Sequence, residues 1–117
     1  MSRDAALYLD DIKNSCAKVI RYTETINFEQ FCKDEKTYDA VVRNLEIMGE
    51  AAKHLPDSIC KQLSNIEWSK IKGLRDIIVH EYFGLDMDII WDIVQNKIPH
   101  LLAAVEQFSD KRQFLNN

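Results

Sequence analysis

Apolar residues recur at three- and four-residue steps through four long stretches of the chain, and each stretch predicts a helix. The first is expected from about Ser2 to Tyr22. Ser2 fits an N-cap with Asp4 in the first turn, and Leu9, Ile12, Cys16, Val19, Ile20 and Thr23 form one stripe. The following INFEQFCKD breaks the period. Phe28 and Phe31 make it a connection anchored by two aromatics, with room for one helical turn. A second long helix is expected from Lys36 to Leu55, ended by Pro56. Its face of Tyr38, Val41, Val42, Leu45, Met48, Ala52 and Leu55 is widened by Ile47 and Ala51, which predicts contact on two sides. Pro56 to Leu63 reads as a short helix with proline at its first helical position, and Asn65–Ile66–Glu67 as the turn that follows.

The third long stretch is Trp68–Tyr82, WSKIKGLRDIIVHEY, where Ile71, Leu74 and Ile78 keep helical spacing. Gly73 inside it costs about 1 kcal/mol relative to alanine, which suggests close approach by another backbone or a ligand. Phe83–Gly84–Leu85 reads as a stop with Gly84 at C′. Asp86 or Asp88 then caps a last helix carrying Ile89, Ile90, Ile93, Val94, Ile98, Leu101, Leu102, Val105 and Phe108. Pro99 lies inside that pattern and cannot donate to the Gln95 carbonyl, so a kink or break is expected there. Lys111, Arg112 and the end at Asn117 read as a fraying tail.

Three glycines and two prolines are few, which fits long helices and short connections rather than an all-β fold. The expectation is an all-α, antiparallel bundle of four to five helices in one domain, residues 1–117. The net charge of -4 argues against a whole-molecule grip on nucleic acid, but leaves room for a local basic strip. Lys70, Lys72 and Arg75 are its candidates, with Lys61 upstream. The acidic run Asp86, Asp88 and Asp92 reads as a solvated face. Cys16, Cys32 and Cys60 contain no C-x-x-C pair, so neither a disulfide framework nor a zinc site is expected. Inert thiols in a reducing cytoplasm are. No signal peptide or membrane-length apolar run is present, and a cytoplasmic protein without membrane contact is the expectation.

Candidate chemistry gathers at the end of the third stretch, in Arg75, His80 and Tyr82. Imidazole is the side chain suited to proton transfer near neutral pH. The planar guanidinium fork suits a phosphate. Together they fit RNA cleavage by attack of the ribose 2′-hydroxyl on its own phosphate, which needs a base, an acid and a cation, and no metal. Arg75 and His80 are about 140° apart on an ideal helix, whereas Arg75 and Tyr82 share a face. Helix fraying near His80 would bring all three round together. One chain supplies one such histidine, so a two-fold dimer would complete the site with a second His80 and Arg75. Lys70 and Lys72 are candidate contacts to RNA phosphates. His54 and His100 lack such companions and read as structural. Glu46 and Glu50 share a face four residues apart, but no Glu-x-x-His accompanies them, so a solvated face is expected and no metal or cofactor.

The string RDIIVHEY resembles the R-x4-6-H signature of HEPN domains, in the R-x4-H-x-Y form of HepT-type toxins. RNLEIMGEAAKHL resembles their second-helix block. WSKIKGLRDIIVHEYFGLDMDIIWDIV, followed by Pro99, resembles their third and fourth blocks, so the resemblance covers most of the chain. It implies a homodimer and a metal-independent endoribonuclease at the dimer cleft, with Arg75 and His80 in the catalytic roles. It also implies a partner, a minimal nucleotidyltransferase antitoxin that transfers AMP from ATP to Tyr82. Relatives of this kind often carry Asn after the Arg and Gly before the Tyr, where this chain has Asp76 and Glu81. Asp76 precedes His80 by one helical step and is expected to orient His80 and Arg75. Two alternatives stay open. One is a non-catalytic helical module that binds a nucleotidyltransferase or a nucleotide; the other is a structural bundle with an incidental motif.

Overall fold

A computed structural model describes the backbone of residues 3–116 and the side chains of residues 3–111. Its elements are α1 (Arg3–Thr23), α2 (Phe28–Lys33), α3 (Glu35–Lys53), α4 (Asp57–Gln62), α5 (Trp68–Glu81), α6 (Met87–Asp92) and α7 (Ile98–Asn116). A 3-10 turn, Tyr82–Gly84, follows α5, and a π turn, Ile93–Lys97, joins α6 to α7. Four long helical runs therefore carry the fold, with α2 and α4 as short pieces between them. The all-α expectation holds. The Ser2 cap, the Arg112 side chain and Asn117 lie outside the described residues, and the α7 backbone is helical up to Asn116 where a tail was expected.

Side-chain caps set the boundaries. Asn27 and Gln30 form a reciprocal capping box at the start of α2, which is the helical turn foreshadowed in the connection. Asp34 closes α2 and caps α3 by accepting from Thr37. Asp86, rather than Asp88, caps α6. Pro56 takes the N-cap of α4 instead of its first helical position: its carbonyl accepts from Ile59 and Cys60 while its backbone stays extended.

The packing order follows from contacts between early and late residues. Tyr8 stacks on His54, and the Cys16 thiol lies 3.6 Å from Met48 Sδ, so α1 and α3 run antiparallel. Asp39 meets Tyr82 while Gly49 meets Ile71 and Arg75, so α3 and α5 do as well. The α1 stripe closes on the last helical run, where Val94, Ile98, Leu101 and Val105 are buried. Phe31 is fully buried between Tyr38 and Trp91, with ring centroids 5.7 Å and 5.0 Å away, and fixes α2 against this core. Truncating a side chain as enclosed as Leu45 to alanine costs about 2–5 kcal/mol. Among the described residues no buried side-chain polar atom lacks a partner. No described helix is long and apolar enough to cross a membrane.

Three expectations change. The close approach attributed to Gly73 occurs instead at Gly49. A Cβ on Gly49 would stand 2.8 Å from the Arg75 amide nitrogen and 3.0 Å from the Ile71 carbonyl, whereas one on Gly73 would meet nothing within 4 Å. Gly84 is no left-handed C′ residue, because α5 tightens into a 3-10 turn and no described residue has positive φ. The helix does not fray at His80, since α5 continues to Glu81. The break expected at Pro99 takes the form of the π turn just before it, in which the Ile98 amide donates to the Ile93 carbonyl.

Candidate functional site

Arg75 is placed by its backbone. Because Gly49 has no side chain, α5 lies against α3 at this level and the guanidinium emerges, half-buried, at the rim of a groove between α1, α3 and α5. The groove has a volume of about 360 Å³ and is lined by Tyr8, Arg43, Glu46, Glu50, His54 and Arg75, among others.

Acids hold the arginine on two sides. Arg75 Nε is 3.5 Å from Glu50 Oε2, and Nη1 donates to Asp76 Oδ1 at 3.2 Å. Asp76 also accepts from Lys53 at 2.9 Å. The Lys53 hydrogen bond, then that of Arg75, holds the Asp76 carboxyl below the usual carboxylate range. The other oxygen of Glu50 lies 3.4 Å from His54 Nε2, and the His54 ring stacks on Tyr8 with centroids 4.8 Å apart. Lys53, Asp76, Arg75, Glu50 and His54 thus form one line of contacts across two helices. A guanidinium carries five N–H donors, and one of those of Arg75 is hydrogen-bonded among the described residues. All these groups are substantially exposed, so the ion pairs are positioning contacts and weak contributors to stability.

This corrects several sequence expectations. Glu50 is no bystander on a solvated face, because it pairs with Arg75, while Glu46 pairs with Arg43 at 3.3 Å. His54, read as merely structural, joins the same line through Glu50. Asp76 contacts Arg75 and Lys53 but not His80. Its spacing from His80 is helical, but Lys53 on the facing helix draws its carboxylate toward α3.

His80 occupies the last turn of α5, exposed, with no hydrogen-bond or ion-pair partner among the described residues. Tyr82 begins the 3-10 turn and its hydroxyl donates to Asp39 on α3. That bond, followed by burial and the charges of Asp39, Tyr38 and Glu35, raises the phenol above its ordinary value. Asp39 and Glu50 are separated by three turns of α3, about 16 Å along the axis. Arg75 and Tyr82 are therefore anchored at different levels of one helix, and within one chain the trio does not close into a single hydrogen-bonded site.

The basic strip also disperses. Lys70 pairs with Glu67 at 2.9 Å, beside a second groove of about 680 Å³ between α5 and the last helical run. Lys72 acts on the Cys60 thiol of α4, where its charge opposes the upward push of burial. Close to His80 in sequence, Ile77 and Val79 are about half exposed and Phe83 is fully exposed, beside the exposed acids Asp76 and Glu81. Among the described residues no three His, Cys, Asp or Glu side chains are grouped so as to hold a metal ion.

Asp39, Gly49 and Glu50 are what sequence reasoning missed. Gly49 carried the same signal as Gly73, a glycine inside a helix. Asp39 carried none, because its partner Tyr82 lies beyond another helix, and Glu50 stood out only by its spacing from Glu46, which says nothing of its pairing with Arg75 on α5.

Comparison with known proteins gives a consistent picture. The family profile described as Ribonuclease HepT-like matches residues 12–108. The chain is 39% identical over 105 residues to Putative RNase MJ0127 of Methanocaldococcus jannaschii, covering 90% of this chain and 87% of that one. It is 40% identical over 106 residues to Putative RNase TTE0752 of Caldanaerobacter subterraneus, covering 91% and 95%. It is 37% identical over 107 residues to Probable ribonuclease HepT of Thermococcus cleftensis, covering 92% and 97%. No solved structure matches the chain.

Proposed function

The chain belongs to the HepT-like family, and on that premise we propose that it is the toxin of a toxin–antitoxin pair, a cytoplasmic, metal-independent endoribonuclease that works as a homodimer. The observation that carries this reading is the state of Arg75 and His80. Arg75 is fixed at an open groove and, among the described residues, most of its donors are unengaged and His80, little more than one turn further along α5, is exposed and without a hydrogen-bond or ion-pair partner.

In the proposed reaction two copies of His80 face one RNA phosphate. One removes the 2′-hydroxyl proton as that oxygen attacks phosphorus; the other protonates the departing 5′-oxygen. Arg75 holds the phosphate and balances the charge that builds on the phosphorane. Glu50 and Asp76 limit the freedom of the guanidinium before substrate arrives. The apolar residues Ile77, Val79 and Phe83 beside His80 support a face for the second copy. Lys70 and Lys72 would steer the flanking strand. Tyr82 is the proposed acceptor for AMP from a minimal nucleotidyltransferase antitoxin. The adenylate would add bulk and negative charge beside the histidine and exclude RNA.

The test is RNA cleavage in EDTA by protein made without its partner, wild type beside Arg75→Ala and His80→Ala. The expected result is 2′,3′-cyclic phosphate ends from wild type and loss of about 10²-fold or more in each variant. Wild-type protein of unmodified mass that leaves RNA intact would instead favour the non-catalytic binding module, with Tyr82 as its chemical asset.

A further inference from the structure

The phenol of Tyr82 is already engaged. Its O–H donates to Asp39 Oδ1, across 43 residues of sequence. The ring lies edge-on to Phe83, with centroids 5.1 Å apart, and is 37% exposed. Solvent therefore reaches the side chain while its hydroxyl donates to a carboxylate.

A phenol attacks phosphorus well only as it gives up its proton, and a tyrosine near neutral pH keeps that proton. The surroundings of Tyr82 reinforce this, because the Asp39 hydrogen bond and the negative groups around it oppose a free phenolate. Standing alone, such a tyrosine is a poor nucleophile. It becomes a good one if the proton leaves as the new bond forms, and that needs a base within hydrogen-bond reach. Asp39 is bonded to it; Glu35 acts on it through charge alone.

The geometry points to Asp39 as the general base that places and deprotonates Tyr82 during AMP transfer, an inference that rests on the reading of Tyr82 as acceptor. Tyr82 Oη bonds to the α-phosphorus of ATP. The bond from that phosphorus to the bridging oxygen breaks, and pyrophosphate leaves with the electron pair. The phenol proton passes to the Asp39 carboxylate and from there to solvent. The acceptor chain would thus bring part of the machinery for its own modification.

The experiment treats the full chain with adenosine 5′-phosphorimidazolide, an activated AMP donor whose leaving group is imidazole, so that no second protein is required. Peptide mass spectrometry follows the Tyr82 adduct in wild type, Asp39→Asn and Asp39→Glu. Asparagine keeps an oxygen for the phenol to donate to but takes no proton. The expected result is labelling of wild-type Tyr82, labelling slowed by about 10²-fold in Asp39→Asn near neutral pH, and recovery in Asp39→Glu. The Asn rate should also climb steeply with pH as free phenolate forms, whereas the wild-type rate should not. Were Asp39 only an electrostatic neighbour, removing its charge would ease phenolate formation and Asp39→Asn would label faster. Equal or faster labelling of that variant, or no labelling of wild-type Tyr82, overturns the inference. The reading of Tyr82 as an off-switch fails separately, if labelled wild-type protein still cleaves RNA at full rate.

Discussion

Two glycines in helices should respond to alanine with opposite signs. At Gly49 the new Cβ would lie 2.8 Å from the Arg75 amide nitrogen, 3.0 Å from the Ile71 carbonyl oxygen and 3.2 Å from Arg75 Cβ. Two of these atoms are backbone, so no side chain can swing aside. Restoring a contact of about 3.5 Å requires α5 to retreat by about 0.7 Å. Overpacking of this kind costs about 1–3 kcal/mol, and the better helix propensity of alanine returns about 1 kcal/mol. The rigid neighbours put Gly49→Ala near the upper end, a net loss of about 1–2 kcal/mol. Gly73→Ala meets nothing within 4 Å and keeps the propensity gain of about 1 kcal/mol. Urea unfolding followed by far-UV circular dichroism should therefore separate the two variants by about 2–3 kcal/mol, with Gly49→Ala below wild type and Gly73→Ala above it. The same retreat would carry Arg75 away from Glu50, so RNA cleavage by Gly49→Ala should fall further than its folded fraction explains. A Gly49→Ala protein as stable as Gly73→Ala would refute the account of how α3 seats α5.

Two more outcomes follow from the thiols and the caps. Burial pushes the Cys16 thiol up to about 12, so in native protein it should resist alkylation at mildly alkaline pH while Cys32 and Cys60 react; equal labelling of all three, read by peptide mass, would contradict the packing of α1 on α3. Hydrogen bonds from Thr37 hold the Asp34 carboxyl below its ordinary range, so its capping contribution is complete above about pH 4 and is lost as the pH falls through the lower folded value. The acid limb of a stability–pH curve should flatten in Asp34→Asn, which caps without titrating, and an unchanged limb would remove Asp34 from the acid response.

How far local pattern reaches is clear from particular elements. The stripe from Leu9 to Val19, the cap at Asp86 and the disturbance ahead of Pro99 all depend on neighbours within one or two helical turns, where periodicity, capping and a missing amide act directly. Arg75, His80 and Tyr82 could be picked out by residue type and spacing for the same reason. Their partners could not. Whether Glu50 faces water or Arg75, whether Asp76 turns to His80 or Lys53, and where the Tyr82 hydroxyl goes depend on which face of α3 meets α5. Gly49 sets how closely it does so. Helical spacing places a residue on its own helix, but the register of two packed helices is decided by the interlocking of both surfaces, and only the tertiary structure carries that. So one chain's sequence named the candidate groups, and the packing of α3 against α5 decided that Arg75 and Tyr82 are held apart, Arg75 by Glu50 and Asp76 and Tyr82 by Asp39.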